Sequence, residues 1–299
     1  MERNALIIGI INVKGGVGKT TISMNMSHIL SIAGYNVLHI DLDPQGSSTE
    51  HLGARTITGK PLKRDEILNL NLYKLLSQPV DMEKYIFKTD YPNLHIIPNA
   101  RAAAKELIEG GFDFYIKELD YQNKYYSFAN NLNKIRDKYD YIIIDGHPSV
   151  CQMTTVSIIA CDYILSPAIP DSYNVHTVDD TYSMIEACNN KFGTDTEYAG
   201  FFLNNVDASG TMKDVYNEVR NFYLASANDY FIDNPIRSSQ SVFKSNLSQK
   251  LWLEQLNPIT KAPINPCRDL LRLLDKELDL LGEKKENIIE YGIKEKYFI

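Results

Sequence analysis

Residues 5–11 form an unbroken apolar run, Ala-Leu-Ile-Ile-Gly-Ile-Ile, with no polar alternation, the pattern of a parallel strand covered on both faces. A glycine-rich loop follows. From Thr20 onward Ile22, Met26, Ile29, Leu30 and Ala33 recur at helical spacing, and Gly34 stands where the helix would stop. Residues 37–40 read as a second strand closed by a polar turn at 41–46, and such a strand, helix, strand unit closes right-handed. Residues 54–92 keep no sustained period and predict peripheral or mobile structure with short helices at 72–76 and 82–87. Strands are expected at 94–98, 141–145, 163–169 and 198–204, and helices at 100–107, 128–139, 175–192 and 212–223. This alternation predicts an α/β fold, a doubly wound, mostly parallel sheet with helices on both faces. One domain would span 1–262, and a mainly helical C-terminal extension, 263–299, would pack on that domain or on a partner.

With 299 residues, 44% of them hydrophobic, the chain can bury a large core, which excludes a disordered or fibrous protein. The longest uncharged apolar run falls far short of the roughly twenty residues that cross a bilayer, so no integral membrane segment is expected. The start of the chain has no small-residue cleavage site, and a cytoplasmic location is expected. Thirty-one basic against 38 acidic side chains leave a net charge of −7, so any contact with nucleic acid must come from a local patch. Cys151, Cys161, Cys188 and Cys267 form no C-x-x-C pair and read as buried reduced thiols.

The candidate chemistry begins at Lys14-Gly15-Gly16-Val17-Gly18-Lys19-Thr20-Thr21, between the first strand and the first helix. Three glycines let successive backbone N–H groups point at one anion, and the helix N-terminus adds its positive end. Lys19 would neutralise the β and γ phosphates of a nucleotide, and the Thr20 hydroxyl would hold Mg²⁺. The general phosphate-loop pattern puts its first glycine where Val13 stands, so Lys14 is an added feature. Asp41 and Asp43 flank one residue at the carboxyl edge of the second strand, where open α/β folds bind ligands. One could hold a metal-bound water and the other orient an attacking water. Asp145 ends the run 141–144 and fits a carboxylate that holds a magnesium water. Asn204 and Asn205 close a later strand near where a base would lie. Their N-x-x-D spacing also suits guanine, so the residues leave ATP and GTP both open. Each motif also has a plainer meaning: a glycine turn with solvated lysines, aspartates capping a turn before Pro44, asparagines ending a strand.

The segment KGGVGKTT at 14–21, with its early lysine, resembles the deviant Walker A motif of the ParA/MinD group of P-loop ATPases. Further matches are DLDPQG at 41–46, NLHIIP at 93–98, YDYIIIDGHPS at 139–149, and the strand and turn of 160–170, together covering most of residues 5–260. The spacing and DLDPQG favour the ParA partition branch. The resemblance implies a P-loop NTPase fold and a Mg²⁺-ATP-driven homodimer in which Lys14 reaches the phosphates of the opposite subunit. Gly15, Gly16, Val17, Gly18, Lys19, Thr20 and Thr21 would hold the nucleotide, with Asn204 and Asn205 at its base. Asp43 would be tied to hydrolysis, Asp145 to the metal, and Asp41 to the metal through water. The family usually continues Asp-x-Pro-Pro, whereas this chain has Gly146-His147-Pro148, an altered switch.

The resemblance also implies nonspecific double-stranded DNA bound by the ATP dimer, release on hydrolysis stimulated by a ParB-type centromere-binding partner, slow turnover alone, and a nucleoid-associated location. Its DNA-contacting candidates are Lys213, Arg220, Arg237, Lys244 and Lys250; Arg237 matches a family arginine, while another family arginine is replaced by Ser209, with Lys213 nearby. The alternative is a MinD-like membrane-associated positioning ATPase, which ends in a basic amphipathic helix. Leu270, Leu271, Leu274, Leu278 and Leu281 do form a stripe, but residues 267–299 carry seven basic and eight acidic side chains, so anionic lipid gains little.

Overall fold

Seven strands, β1 (Leu6–Ile10), β2 (Val37–Asp41), β3 (Phe87–Lys88), β4 (Leu94–Ile97), β5 (Tyr141–Asp145), β6 (Tyr163–Ala168) and β7 (Glu197–Leu203), form one sheet in the order β3-β4-β2-β5-β1-β6-β7. Every pairing is parallel except that of β3 with β4. The computed structural model describes residues 4–100, 124–147, 149–170, 172–207, 211–225, 230–239, 250–255, 264–290 and 293.

Strand side chains alternate between two cores, which is why the central strands read as continuous apolar runs. Ile142 and Ile144 of β5 join Ile7, Leu38 and Ile40 on one face; Ile143 joins Ile8, Ile10 and Val37 on the other. The first face is covered by α4 (Leu72–Ser77), α5 (Ser127–Asn133), α6 (Gln152–Ala160), α7 (Ser172–Phe192) and α8 (Thr211–Ala225), through residues such as Leu75, Phe128, Val156, Ile185 and Tyr223. The second is covered by α1 (Lys19–Ile32) and by the C-terminal segment, with Ile22, Met26, Ile29, Leu270, Leu271 and Leu274 in one cluster. The result is the doubly wound, mostly parallel α/β sheet with helices on both faces that the sequence predicts.

The C-terminal segment comprises α9 (Asn265–Arg272), a π turn at Leu273–Glu277 and α10 (Lys285–Glu290), and it finishes α1. Asn287 Nδ2 donates to the Ala33 carbonyl at 2.6 Å and Lys284 Nζ to the Gly34 carbonyl at 3.0 Å, partners that a helix end otherwise lacks. Tyr35 and Tyr141 hydroxyls donate to the Leu281 and Leu280 carbonyls, each at 2.8 Å. Four leucines of the stripe, Leu270, Leu271, Leu274 and Leu281, are fully buried in this packing.

Some local expectations differ from the structure. The helix expected at 82–87 is a 3-10 turn, Met82–Lys84, after which Phe87 starts the antiparallel edge strand. The helix expected at 128–139 stops at Asn133 and resumes as a 3-10 turn at Arg136–Lys138. Residues 54–92 are less peripheral than expected, because Leu75, Leu76, Met82 and Tyr85 belong to the core. Three helices were not expected: α2 (Ser47–Leu52), α3 (Arg64–Leu68) and α6. Nearly all of α6 is buried, so it carries no amphipathic period by which a sequence reading would find it. The helix expected at 100–107 lies outside the described residues, apart from Ala100.

Two histidines sit wholly inside the second core. His39 Nδ1 lies 3.0 Å from Ser27 Oγ, and His28 packs its ring on Tyr91 with centroids 4.4 Å apart. Burial pushes both down to about 3. Each therefore stays neutral in the folded chain while the unfolded chain takes up a proton below pH 6.5, so their contribution is complete above that pH and declines toward pH 3. Asp41, raised to about 6, acts in the opposite sense between pH 4 and 6. His39→Met isolates the histidine term: denaturant melts should show wild-type stability falling relative to the variant by up to about 1.4 kcal/mol per pH unit between pH 6 and 4. Parallel pH profiles would show that His39 does not titrate with folding.

Candidate active site

The chain leaves β1 to build β2 and β4 on one side and later β6 and β7 on the other, so a crevice opens at the carboxyl ends of the strands around β1. Asn12 fixes the start of the loop there: its Oδ1 accepts from the Lys14 backbone N–H at 2.9 Å and its Nδ2 donates to the Pro167 carbonyl at 3.0 Å. Gly16 and Gly18 hold φ of +78° and +97°, conformations that side chains rarely adopt. A Cβ on Gly18 would also collide with the Asn204 amide. That amide donates to the Val17 carbonyl at 2.8 Å, so the asparagine ending β7 anchors the loop. No side chain caps the N-terminus of α1 and no acidic residue lies in its first turn, which leaves a helix end suited to an anion.

Lys19 is buried, and its Nζ donates to the Lys14 carbonyl at 2.6 Å. Burial pulls its ammonium down to about 8, against the charges of Asp145 and Asp43. The Lys14 side chain is half-buried on the same loop.

Asp41 and Asp145 lie in register on neighbouring β2 and β5, both with no exposed surface. Asp41 has protein partners: Oδ2 accepts from the Thr49 N–H at 2.9 Å and the Thr49 hydroxyl at 2.6 Å, and Oδ1 from the Asp43 N–H at 3.1 Å. Burial, with help from Asp43, still raises it to about 6 against the hydrogen bonds of Thr49 and the nearby Ser48 hydroxyl. Asp145 is different. Neither carboxylate oxygen closes a hydrogen bond among the described residues. Burial, then the Asp41 charge, pushes it well above the usual carboxylate range, and the nearby Thr20 and Ser48 hydroxyls only oppose this. Two buried carboxylates with adjacent hydroxyls form a hard oxygen set that fits a small divalent cation such as magnesium, and the unpartnered Asp145 oxygens are its strongest requirement.

Asp43 is half-buried on a turn held from two sides: its carbonyl accepts from Gly46 N–H at 2.9 Å and Asn99 Nδ2 at 3.0 Å. Gly46 has φ +65°, and a Cβ there would meet the Asn99 carbonyl oxygen at 2.7 Å. The Thr49 hydroxyl that binds Asp41 also accepts from the Asn99 N–H at 2.9 Å, joining both aspartates to one framework. Ser48, Thr49 and Asn99 were missed by sequence reasoning; their types are common in turns and short helices, and only their contacts mark them.

Gly146, where the strand leaves Asp145, has a physical reason: a Cβ would meet the Ile10 carbonyl oxygen and Ile11 Cγ1, each at 2.9 Å. His147 Nδ1 lies 2.9 Å from Ser149 Oγ and 3.4 Å from Cys151 Sγ. Burial alone would raise the Cys151 thiol, but hydrogen bonds to His147 and Thr154 outweigh it and bring it to about 7. Pro148 lies outside the described residues.

Beyond the loop, Gly16, Thr21, Asn204, Asn205, Arg237 and Trp252 line a cleft at its far end. The structure thus brings the loop, the three aspartates and the two asparagines to one edge of the sheet. Of the basic candidates, two are held by carboxylates. Arg237 Nε donates to Asp269 Oδ2 at 2.9 Å, and Arg220 Nε to Asp233 Oδ1 at 2.8 Å. Lys213 and Lys250 are exposed, and Lys244 and Ser209 lie outside the described residues.

Residues 5–197 match the AAA domain family AAA_31. The sporulation initiation inhibitor protein Soj of Bacillus subtilis is 28% identical over 236 residues, 79% of this chain and 87% of that one. The chromosome partitioning protein ParA of Myxococcus xanthus is 26% identical over 238 residues, covering 78% and 77%. Among solved structures, an ATP complex of a McdA variant from Cyanothece shares the fold with a TM-score of 0.65 at 19% identity, covering 92% of this chain and 97% of that one.

The loop geometry gives a direct expectation for Gly18→Ala. A Cβ at φ +97° displaces Asn204 from the Val17 carbonyl, and thermal melts should register a loss of about 1–2 kcal/mol. An unchanged melting temperature would show that the glycine is not required by the loop.

Proposed function

The chain belongs to the AAA_31 family of AAA domains and is a ParA/MinD-type P-loop ATPase, and from that premise we propose that it is a partition ATPase whose Mg²⁺-ATP-bound homodimer grips nonspecific DNA. The observation that carries this reading is the pair of buried, unpartnered Asp145 oxygens beside a buried lysine and an uncapped helix start. Such a set is costly unless a divalent cation and a polyanion complete it.

In this reading the N–H groups of residues 15–21 and the Lys19 ammonium receive the phosphates. Thr20 and Asp145 would hold a magnesium ion, with Asp41 acting through water, and its charge would offset that of the phosphates. Asp43, set on its braced turn, accepts a hydrogen bond from the attacking water and so orients it. Lys14 supplies its charge to the phosphates of the partner protomer, so nucleotide and dimer are coupled. Asn204 and Asn205 stand at the nucleoside, and adenine is favoured because the McdA variant of the same fold is an ATP complex. The DNA grip draws on Lys213, Lys244 and Lys250, with Arg220 and Arg237 available only if phosphate displaces their carboxylates. A ParB-type centromere-binding protein resets the cycle by stimulating hydrolysis, and the protein works in the nucleoid-containing cytoplasm. Full burial of Leu270, Leu271, Leu274 and Leu281 removes the apolar stripe that a MinD-like membrane reading would need.

Two outcomes test this. Asp43→Ala should bind Mg²⁺-ATP as the wild type does while phosphate release falls by about 100-fold or more; unchanged turnover would remove Asp43 from the reaction. In gel retardation, duplexes of unrelated sequence should be shifted with ATP but not with ADP. The log–log salt slope should be near −5 if about three cations per protomer engage phosphates, and Lys14→Ala should abolish both the shift and the ATP-dependent doubling of mass in light scattering. Equal retardation without nucleotide would sink the switch.

A further inference from the structure

Asp269 is a buried carboxylate of the C-terminal helix α9, and among the described residues its carboxylate is hydrogen-bonded by Arg237, which lies on the segment 231–238. It accepts from the Arg237 backbone N–H at 2.9 Å and from Arg237 Nε at 2.9 Å, and Arg237 Nη2 donates to its second oxygen. Its own carbonyl accepts from Asn234 Nδ2 at 2.9 Å. One helical residue therefore fixes both the backbone and the guanidinium of this segment.

The segment runs beside β7 like a further, irregular parallel strand: Ile236 N–H donates to the Leu203 carbonyl at 2.8 Å, Val206 N–H to Ile236 at 3.0 Å, and Ser238 N–H to Val206 at 2.8 Å. It delivers Arg237 to the cleft opposite Asn204 and Asn205, where Pro266 of α9 and Trp252 also form the wall. Trp252 is tied back to the phosphate loop's helix, its backbone N–H donating to Asn25 Oδ1 at 2.8 Å while Asn25 Nδ2 donates to the Thr21 carbonyl at 2.7 Å.

A buried carboxylate paired with a half-exposed guanidinium is a poor way merely to pack a helix, since apolar residues of similar volume do that as well. What the pair supplies is orientation: a guanidinium held through Nε and Nη2 by one carboxylate has a fixed plane, and such a plane stacks on aromatic rings. We propose that Asp269 is a positioning residue for nucleotide selection, holding Arg237 as the wall that receives a purine base, so that the C-terminal segment is part of the nucleotide site. This rests on the reading of the cleft as a nucleoside triphosphate site, and it assigns Arg237 to the base rather than to DNA.

The test uses the full chain with magnesium and three probes in calorimetry: ATP, GTP and inorganic tripolyphosphate, which occupies the loop but has no base. Asp269→Asn should lose about tenfold in ATP affinity and most of the preference between ATP and GTP, keep tripolyphosphate affinity, and regain ATP affinity as Asp269→Glu. Arg237→Gln should give the same split from the other partner, which keeps the test decisive if Asp269→Asn does not fold. Equal losses for all three probes would reduce the pair to a structural pin and overturn the proposal. So would unchanged nucleotide binding with tighter DNA binding, which would make Arg237 a DNA contact held in reserve. A wild-type chain that takes up tripolyphosphate but neither nucleotide overturns this inference alone; one that takes up none of the three overturns the nucleotide reading and this inference together.

Discussion

Asp41 and Asp145 stand side by side at the carboxyl ends of adjacent strands, wholly buried, and among the described residues hydrogen bonds reach only one of them. Parallel pairing of β2 with β5 forces that proximity, and the rest of the site is arranged around it. Lys19 enters from the start of α1, Thr49 and Asn99 lock Asp41 to the turn of Asp43, and Asn204 fixes the loop from the opposite side of β1. In low-dielectric surroundings a charge without a partner is expensive, and that cost is why burial, with the Asp41 charge beside it, pushes Asp145 above the usual carboxylate range.

Much of this was legible in the sequence because the governing features are local. The unbroken apolar runs of β1 and β5 announce strands with two covered faces, and the glycines of the loop mark positions where the backbone is left-handed. The carboxylates at strand ends follow from the same reading. What escaped was whatever depends on long-range packing. Helix α6 is buried nearly all round and shows no amphipathic period; Met82–Lys84 and Phe87–Lys88 exchange a predicted helix for a turn and an edge strand because β4 offers a pairing edge. Thr49, Asn99 and Asp269 are ordinary residues in sequence, and what marks them is their contacts with Asp41, Asp43 and Arg237, which lie 8, 56 and 32 positions away.

The C-terminal segment changes the meaning of two sequence features. Its leucine stripe, which by spacing alone suits a membrane-surface helix, is consumed by the core over α1. Arg237, which by motif alone suits DNA, is engaged by a buried carboxylate of that segment. Both follow from one packing choice: the segment closes the end of α1 with Asn287 and Lys284 while it braces the far wall of the cleft with Asp269. The glycine loop, the cleft at its far end and the C-terminal helix are thereby joined through α1 and Trp252.

The central claim is that the unpartnered Asp145 carboxylate makes this a site for a magnesium-bound triphosphate. Titration calorimetry of ATP against the wild-type chain and Asp145→Asn, each with magnesium and with a chelator, addresses it most directly. The expected result is that magnesium tightens ATP binding to the wild type by about tenfold or more and leaves Asp145→Asn unaffected. Equal magnesium dependence in both proteins, or no heat of ATP binding to the wild type under any condition, would contradict it.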